Sequence, residues 1–174
     1  MEFRNKIALI TGAGQGIGKG IAIGLARGGA DIVVNDVDLT LAENTVREIK
    51  DMESKAMAIR ANVAAEAEVE AMIARIVNDW GGIDILVNNA GTGHPMMVED
   101  MGKSEWDRIL DINLGGVFNC SKAVIPIMKA RGGGKIINIA SLAAKTMSYL
   151  GGANYTASKA AVRAVASGKV QMAA

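Results

Sequence analysis

The feature that most constrains the fold is a regular alternation of short apolar runs with longer helical stretches. Five β-branched runs are apolar throughout rather than alternating, which is typical of strands covered on both faces. These runs are 6–11, 31–35, 56–60, 83–88 and 135–139. The other stretches carry apolar residues at three- and four-residue intervals, which predicts amphipathic helices. These stretches are 16–28, 39–52, 66–79, 104–130 and 154–166.

Strands alternating with helices predict a parallel sheet, because right-handed crossover connections leave few other topologies. With no internal repeat and no low-complexity linker, we expect one doubly wound α/β domain over residues 1–166 and an atypical tail over 167–174. Ser104 and Asp107 have the spacing of a capping box at the start of the fourth helix. The triplet 132–134 is Gly-Gly-Gly, which predicts the end of that helix.

Composition excludes several classes of protein. The formal net charge is +1 and aromatic residues make up only 3%, which argues against a nucleic-acid partner or an anionic membrane partner. Glu2, Arg4 and Lys6 interrupt any signal-peptide core, and no apolar run approaches the roughly 18 residues of a membrane span. Cys120 is the single cysteine, so no internal disulfide can form. We therefore expect a cytoplasmic protein.

A glycine-rich loop, Thr11-Gly12-Ala13-Gly14-Gln15-Gly16-Ile17-Gly18, follows the first strand and opens the first helix. In that position glycines let the backbone approach a pyrophosphate at the helix N-terminus, although a tight turn with close packing is the alternative. The G-x-G-x-x-G register fails because position 17 is Ile, and the P-loop spacing fails as well. The register that fits is T-G-x-x-x-G-x-G.

Asp36 closes the second strand, 36 − 18 = 18 residues after Gly18. An acid at about this distance binds the adenosine ribose hydroxyls of a dinucleotide, and its charge would repel the 2′-phosphate of NADP. Positions 15 and 37 are Gln and Val rather than basic residues. A strand-end turn Asp is the alternative, but the pattern favours NAD over NADP.

Further motifs follow in a fixed order along the chain. They are Asn62-Val63 after the third strand, Asn88-Asn89-Ala90-Gly91 ending the fourth, Asn113 in a helix, Ser141 ending the fifth strand, and Tyr155 with Lys159 in a Y-x-x-x-K pattern. Together with the glycine loop, these motifs resemble the short-chain dehydrogenase/reductase family over residues 6–165. The resemblance implies a Rossmann fold, an oxidoreductase activity and a nicotinamide cofactor.

The resemblance also assigns residues to roles. It gives as catalytic Asn113, Ser141, Tyr155 and Lys159. It gives as cofactor-binding Gly12, Gln15, Gly16, Ile17, Gly18, Asp36, Asn62, Val63, Asn89, Ala90, Gly91, Tyr155 and Lys159.

Tyr155 and Lys159 are four residues apart, which places them on one helical face. An ammonium one turn away favours a phenolate, so Tyr155 would exchange a proton with the substrate alcohol or ketone. The family implies that Ser141 holds the substrate oxygen, that Lys159 holds the nicotinamide ribose, and that Asn113 binds a water. The alternatives are a surface Tyr–Lys contact and a serine that merely caps a turn.

Several other residues allow two interpretations. His94, the single histidine, is either solvated or in contact with substrate. Without a second histidine or a cysteine cluster, we expect no metal. Cys120 is expected to be a packing residue. The remaining candidates line an apolar substrate pocket or pack in the core; they are Met96, Met97, Met147, Tyr149 and Leu150.

Beyond the Y-x-x-x-K helix, the sequence departs from the family, whose members continue with further strands and a segment that covers the substrate. We therefore expect the fifth strand to be an exposed edge, and activity of this chain to be low. A catalytically silent NAD-binding fragment stays open as an alternative. So does a 3-oxoacyl thioester reductase, against which Asp36 argues because that class usually prefers NADP. The family implies a homodimer or homotetramer, for which Gly115, Gly116, Val124, Ile125 and Met128 suit helix packing.

Overall fold

The computed structural model describes residues 2–145 and 152–167, and strands alternate with helices through most of that part. The strands are β1 Ile7–Thr11, β2 Asp31–Asp36, β3 Ala56–Arg60, β4 Ile85–Asn88 and β5 Lys135–Asn138. The helices are α1 Gly16–Arg27, α2 Leu39–Lys50, α3 Glu66–Trp80, α4 Lys103–Leu110, α5 Gly116–Ala130 and α6 Gly152–Ser167. These bounds lie within two residues of the predicted ones, except in the fourth helical stretch.

The five strands form one parallel sheet in the order β3-β2-β1-β4-β5. Chain order runs outward from β1 to β3 on one side and from β4 to β5 on the other. The direction of winding therefore reverses between β1 and β4, where their carboxyl ends open a crevice. This topology confirms the predicted doubly wound α/β fold, and it places the glycine loop after β1 at the crevice.

A hydrophobic core lies on each face of the sheet, because alternate residues of a strand point to opposite sides. Leu9 and Leu86 face α3 and α5, where they pack with Ile76. Ile10 faces α1 and α2 on the other side and packs with Ile49. Burial on both faces explains why the central strands are apolar throughout rather than alternating.

The strand β5 does not share this double cover. It lies at the edge of the sheet, as predicted, and its residues alternate between exposed and half-buried positions. Ile137 is 47% exposed. The expectation that all five strands are covered on both faces is therefore wrong for β5, since an edge strand has a neighbour on one side only.

The predicted helix over 104–130 is not a single α-helix. Between α4 and α5 the chain makes one π-helical turn, Asp111–Gly115, which contains the buried Asn113. The capping box is also wrong: α4 begins at Lys103 with Gly102 as its N-cap, and the Asp107 carboxylate pairs with Lys103 instead. Because the helix starts one residue early, Ser104 lies inside it.

The glycine triplet after α5 turns the chain as predicted. Gly132 and Gly133 have φ values of +86° and +126°, which L side chains rarely adopt. The predicted subunit-contact residues are partly wrong, because Val124 and Met128 are buried in this chain's own core. Gly116 packs against Val63 in the same way.

Within residues 2–145 and 152–167, no helix combines the length and the apolar character that crossing a bilayer requires. The domain boundary at residue 166 stays a prediction, since 168–174 lie outside the described residues.

Candidate active site

The glycine loop leaves open space where the chain enters α1. Gly12 and Gly16 have φ values of +59° and +58°, so both need the conformational freedom of glycine. A Cβ on Gly12 would lie 2.8 Å from the Cα of Ala90, while one on Gly16 would meet nothing within 4 Å. Gly18 has no room for a Cβ, because Asn89 and the Gly12 carbonyl lie directly against it. The loop is thus packed on one side and open on the other.

Asn89 ties the end of β4 to the glycine loop. Its Nδ2 donates to the carbonyl oxygens of Thr11 and Gly12, both at 2.9 Å. In return, the Thr11 Oγ1 accepts from the backbone N–H groups of Asn89 at 3.1 Å and Ala90 at 3.0 Å. These four bonds cross the point where the winding reverses, and so they fix the floor of the crevice. The sequence analysis gave Thr11 no role beyond its place in the motif.

Asp36 is held in place by backbone donors. Its Oδ2 accepts from the Gly14 N–H at 2.9 Å, and its Oδ1 accepts from the Asp38 N–H at 3.2 Å. The adjacent Val37 side chain lines the same cleft and is 59% exposed. Lys19, the nearest basic residue along the loop, pairs with Glu48 on α2. Within the described part of the chain, the Asp36 carboxylate is therefore held by backbone N–H groups and forms no ion pair.

The turn after β3 forms another wall. Asn62 accepts the Ala64 N–H on its Oδ1 at 3.0 Å, while its own N–H donates to Glu68 at 2.9 Å. The Val63 carbonyl accepts from Asn119 of α5 at 2.9 Å. Asn62 and Val63 both line the cleft, as predicted. The hydrogen bonds above hold the Asn62 side chain and the Val63 backbone in place.

Tyr155 and Lys159 line the same cleft from one face of α6. The Lys159 Nζ lies 5.9 Å from the centre of the Tyr155 ring and donates to the Ile139 carbonyl at 2.8 Å. Only 5% of Lys159 is exposed, and this burial lowers the pKa of its ammonium group. The two side chains are thus placed as the sequence spacing predicts, and their chemical roles stay predictions.

Ser141 follows β5 and begins a short 3₁₀ turn, Leu142–Ala144. Its Oγ accepts from the Ala143 N–H at 3.2 Å, so the capping alternative holds. Capping uses a lone pair of the hydroxyl and leaves its hydrogen able to donate into the cleft, which Ser141 also lines. The two interpretations of this serine are therefore compatible.

Asn113 uses its whole amide group within the protein. Its Oδ1 accepts from the Thr92 N–H at 2.8 Å, and its Nδ2 donates to the Thr92 carbonyl at 2.8 Å and to the Ser158 Oγ at 3.0 Å. The water-binding role of Asn113 stays a prediction.

Most of the catalytic and cofactor-binding candidates line one cleft of about 890 Å³; Asn113, Gly16 and Gly18 are not among its lining residues. The cleft is also lined by residues to which the sequence assigned no site role, namely Val37, Ala61, Thr92, Gly93, Arg108, Ile112, Ile139 and Ala140. Arg108 is the charged member of this group, and its guanidinium is held by Glu105 at 2.8 and 2.9 Å. No local motif marks these residues, since folding alone brings them to the cleft.

The ambiguous residues separate in the structure. His94 is exposed and is absent from the lining of the cleft, which favours the solvated interpretation. Met96 and Met97 line a second cavity beside Trp106, of about 1030 Å³, and Met147, Tyr149 and Leu150 lie outside the described residues. Cys120 is buried, and burial raises the pKa of its thiol to about 12, as expected of a packing residue. Among the described residues, no group of three metal-ligating side chains comes together.

A doubly wound sheet with a glycine loop, an acid at the end of β2 and a Tyr–Lys pair in one crevice is typical of a class of dinucleotide-binding oxidoreductases. The chain belongs to the short chain dehydrogenase family, whose model matches residues 6–171. Members of this family act on small molecules and are commonly oligomeric.

Similar proteins carry related names. A 3-oxoacyl-(acyl-carrier-protein) reductase of Staphylococcus epidermidis is 45% identical over 91% of this chain and 65% of its own length. A cyclohexanol dehydrogenase of Acinetobacter is 41% identical over 82% of this chain and 57% of its own length. A solved structure described as a short-chain dehydrogenase/reductase of Burkholderia xenovorans gives a TM-score of 0.89 at 32% identity, covering 92% of this chain and 63% of that one. The chain therefore spans less than two thirds of the length of these relatives.

Proposed function

We propose that this chain carries the cofactor-binding and catalytic residues of an NAD-linked oxidoreductase that interconverts a secondary alcohol and a ketone. The observation that carries the proposal is the convergence of Tyr155, Lys159 and Ser141 on the cleft that also contains the glycine loop and Asp36. These residues come from four separate parts of the chain. Their meeting in one crevice is what a hydride-transfer site requires.

The residues present fit a dinucleotide. Gly16 opens α1, and a Cβ there would meet nothing within 4 Å, so a pyrophosphate could approach the helix N-terminus without meeting a side chain at this position. Asp36 would accept from the adenosine ribose hydroxyls, and Asn62 and Val63 would flank the adenine. The remaining contacts would come from Gln15, Ile17, Asn89, Ala90, Gly91, Tyr155 and Lys159, each of which lines the cleft.

The reaction would divide between cofactor and protein. A bound nicotinamide would supply the hydride acceptor or donor. Tyr155 would take the hydroxyl proton of an alcohol at its phenolic oxygen, or return it to a ketone oxygen. Ser141 would donate a hydrogen bond to that same oxygen, and Lys159 would hold the ribose and favour the phenolate by its charge.

NAD is favoured over NADP by the surroundings of Asp36. Two backbone N–H groups fix the carboxylate, and Val37 occupies the position beside it. A 2′-phosphate placed there would face a negative charge with no cation of the cleft wall near the adenosine end: of the charged lining residues, Lys159 lies at the catalytic end and Arg108 pairs with Glu105.

A second candidate is reduction of a 3-oxoacyl thioester. It is supported by the names of relatives at 42–45% identity, including one of Synechocystis. The arrangement around Asp36 argues against this candidate, because it favours NAD, whereas this class usually takes NADP. A third candidate, which the sequence leaves open, is a catalytically silent NAD-binding module.

One set of measurements separates the three candidates. The change in NADH absorbance is followed with secondary alcohols, cyclic alcohols and 3-oxoacyl thioesters, each with NAD(H) and NADP(H), on chain of verified mass. We expect slow turnover of alcohols or ketones with NAD(H), which is lost in Tyr155→Phe because the proton-transferring hydroxyl is removed. NAD binding should change by less than about twofold, because the variant keeps the ring and the other residues proposed to contact the cofactor are unchanged. Turnover that survives in Tyr155→Phe would remove this residue from its role. NAD binding without any turnover would favour the silent module.

A further inference from the structure

Ser158 lies between Tyr155 and Lys159 in α6 but does not face the cleft. It is fully buried, and its Oγ donates to the Tyr155 carbonyl at 2.7 Å. Such a bond from a helical serine to the preceding turn is ordinary. Less ordinary is that the same Oγ accepts from the Asn113 Nδ2 at 3.0 Å, which joins the catalytic helix to the π-turn between α4 and α5.

The chain of contacts continues from Asn113 back to the tyrosine. The backbone N–H and carbonyl of Thr92 both bond to the buried Asn113 amide at 2.8 Å. The segment after β4 therefore cannot move away from Asn113 without breaking these two hydrogen bonds. The next residue, Gly93, lies against the Tyr155 ring: a Cβ there would be 2.7 Å from the ring's Cδ2. The path from Tyr155 carbonyl to Tyr155 ring is therefore a closed circuit of five residues.

We propose that Ser158 is a positioning residue that closes this circuit and thereby sets the orientation of the Tyr155 ring in the cleft. It holds the Asn113 side-chain amide of the π-turn at a fixed distance from α6, which in turn keeps Gly93 in contact with the Tyr155 ring. This inference rests on the proposed catalytic role of Tyr155 for its meaning, but the position of the ring can be measured without turnover.

Removing the hydroxyl would open the circuit at one point. In Ser158→Ala, one N–H of the buried Asn113 amide loses its acceptor, and a buried unpaired donor favours rearrangement of the amide. Thr92 and Gly93 follow the amide, because they are bonded to it or adjacent to it. The ring then loses this neighbour and samples other rotamers.

The test uses the small number of tyrosines. The sequence contains two, so the full chain carrying Tyr149→Phe and grown with 3-fluorotyrosine reports Tyr155 alone by fluorine NMR. In the folded parent we expect the Tyr155 resonance to be displaced from its position in the urea-unfolded chain. In Ser158→Ala we expect it to move at least halfway toward the unfolded position, and to broaden.

Ser121→Ala is the matched control. Ser121 also accepts a hydrogen bond from an asparagine, Asn88 at 3.2 Å, but it lies on α5 and touches no part of the circuit. In Ser121→Ala we expect the Tyr155 resonance to shift from its parent position by less than a tenth of the difference between the folded and unfolded parent. If Ser158→Ala does not fold by near-ultraviolet circular dichroism, Asn113→Ala opens the circuit one bond further along and is expected to give the same displacement.

Two results would overturn the proposal. One is a Ser158→Ala resonance that coincides with that of the parent; the other is an equal displacement in Ser121→Ala. Neither result depends on activity, so the positioning role and the proposed function can fail separately. On turnover-competent material, the positioning role predicts a kcat at least tenfold lower in Ser158→Ala with KM for NAD unchanged.

Discussion

At the scale of single residues, the site depends on carboxylate, amide and ammonium groups whose surroundings are fixed by backbone. Asp36 is oriented by two N–H donors, and Lys159 by the Ile139 carbonyl. Gly14 occupies an unspecified position of the glycine motif, and Ile139 belongs to no motif, so sequence reading gives neither backbone group a role. Their positions nevertheless decide where the charges of the cleft lie.

The Asp36 carboxylate gives the first prediction. In Asp36→Ser with Val37→Arg, a repulsive charge is removed and a phosphate-binding cation is added. We expect the Kd for NADP to fall by about tenfold or more and the Kd for NAD to rise by about tenfold, each factor of ten corresponding to about 1.4 kcal/mol. Binding is measured by fluorescence titration of the 174-residue chain.

The control replaces an acid of similar exposure outside the cleft. Asp31→Ser removes a surface partner of Lys55 and is expected to leave both affinities unchanged. A double variant that still prefers NAD would show that Asp36 does not set the choice of cofactor.

The buried Lys159 gives a prediction about pH. Burial lowers its pKa in the folded state, so below the ordinary lysine pKa of 10.5 the unfolded chain binds more protons than the folded chain. The contribution of Lys159 to stability therefore increases as pH rises toward 10.5 and is least favourable at lower pH. Lys159→Met removes this dependence, so the melting temperature of the parent should rise relative to that of the variant as pH approaches 10.5. Calorimetry at a series of pH values measures both melting temperatures, and a parent that loses stability relative to the variant as pH rises would contradict the prediction.

At the scale of elements, the N-termini of α2 and α4 are capped differently. Asp38 caps α2, accepting from the N–H groups of Thr40 at 2.9 Å and Leu41 at 3.3 Å. At α4 the predicted cap, Ser104, lies inside the helix, and Gly102 takes the capping position without a side-chain bond. Sequence pattern alone favoured Ser104, because the local spacing of a capping box does not reveal which residue the tertiary structure selects as the first of the helix.

This difference can be measured as a matched pair of alanine variants. Asp38→Ala should lower the free energy of unfolding by about 1 kcal/mol, because two helix N–H groups lose their acceptor. Ser104→Ala should change it by less than about 0.5 kcal/mol, since no cap is lost. Urea unfolding of the two variants beside the parent gives both values. Equal losses would mean that Ser104 does cap α4 in solution.

The π-turn at Asp111–Gly115 is the element that sequence reading could not anticipate. Its residues carry apolar positions at ordinary helical intervals, so the pattern predicts an uninterrupted helix. What distinguishes the turn is that Asn113 bonds to Thr92 and Ser158, which lie 21 and 45 residues away along the chain. Those partners lie outside α4 and α5. Whether the chain forms a π-turn at Asn113 therefore depends on tertiary packing, which the local sequence pattern does not contain.

At the scale of the whole molecule, the sheet has one well-covered centre and one open margin. The strands β1 and β4 are buried along their length, whereas β5 pairs with β4 on one side and exposes Ile137. Phe118, Leu142 and Val165 are further exposed apolar side chains among the described residues. An exposed apolar strand edge favours association between chains.

Ile137→Lys tests this surface. Because Ile137 is half exposed, a lysine can place its charge in water with little loss of packing, and the charge opposes edge-to-edge contact. We expect the solubility limit of the chain to rise severalfold while the melting temperature falls by less than about 4 °C, the shift that about 1 kcal/mol produces at most in a domain of this size. Light scattering against concentration measures the first quantity. Lys129→Ala, at an exposed position on α5, is the control for a change of surface composition alone.

The sequence by itself determined the class of fold and most of the candidate residues that line the cleft. Its apolar runs predicted the strands of the sheet, and its glycine loop, Asp36 and the Tyr155–Lys159 spacing are local patterns that can be recognised from neighbouring residues alone. Tertiary structure alone decided the contacts that fix those members: the Thr11–Asn89 bonds, the carbonyl that holds Lys159, the π-turn around Asn113, and the burial of Val124 and Met128. Local patterns follow from the geometry of one strand or helix, whereas these contacts join residues far apart in the chain and exist only once the sheet has formed.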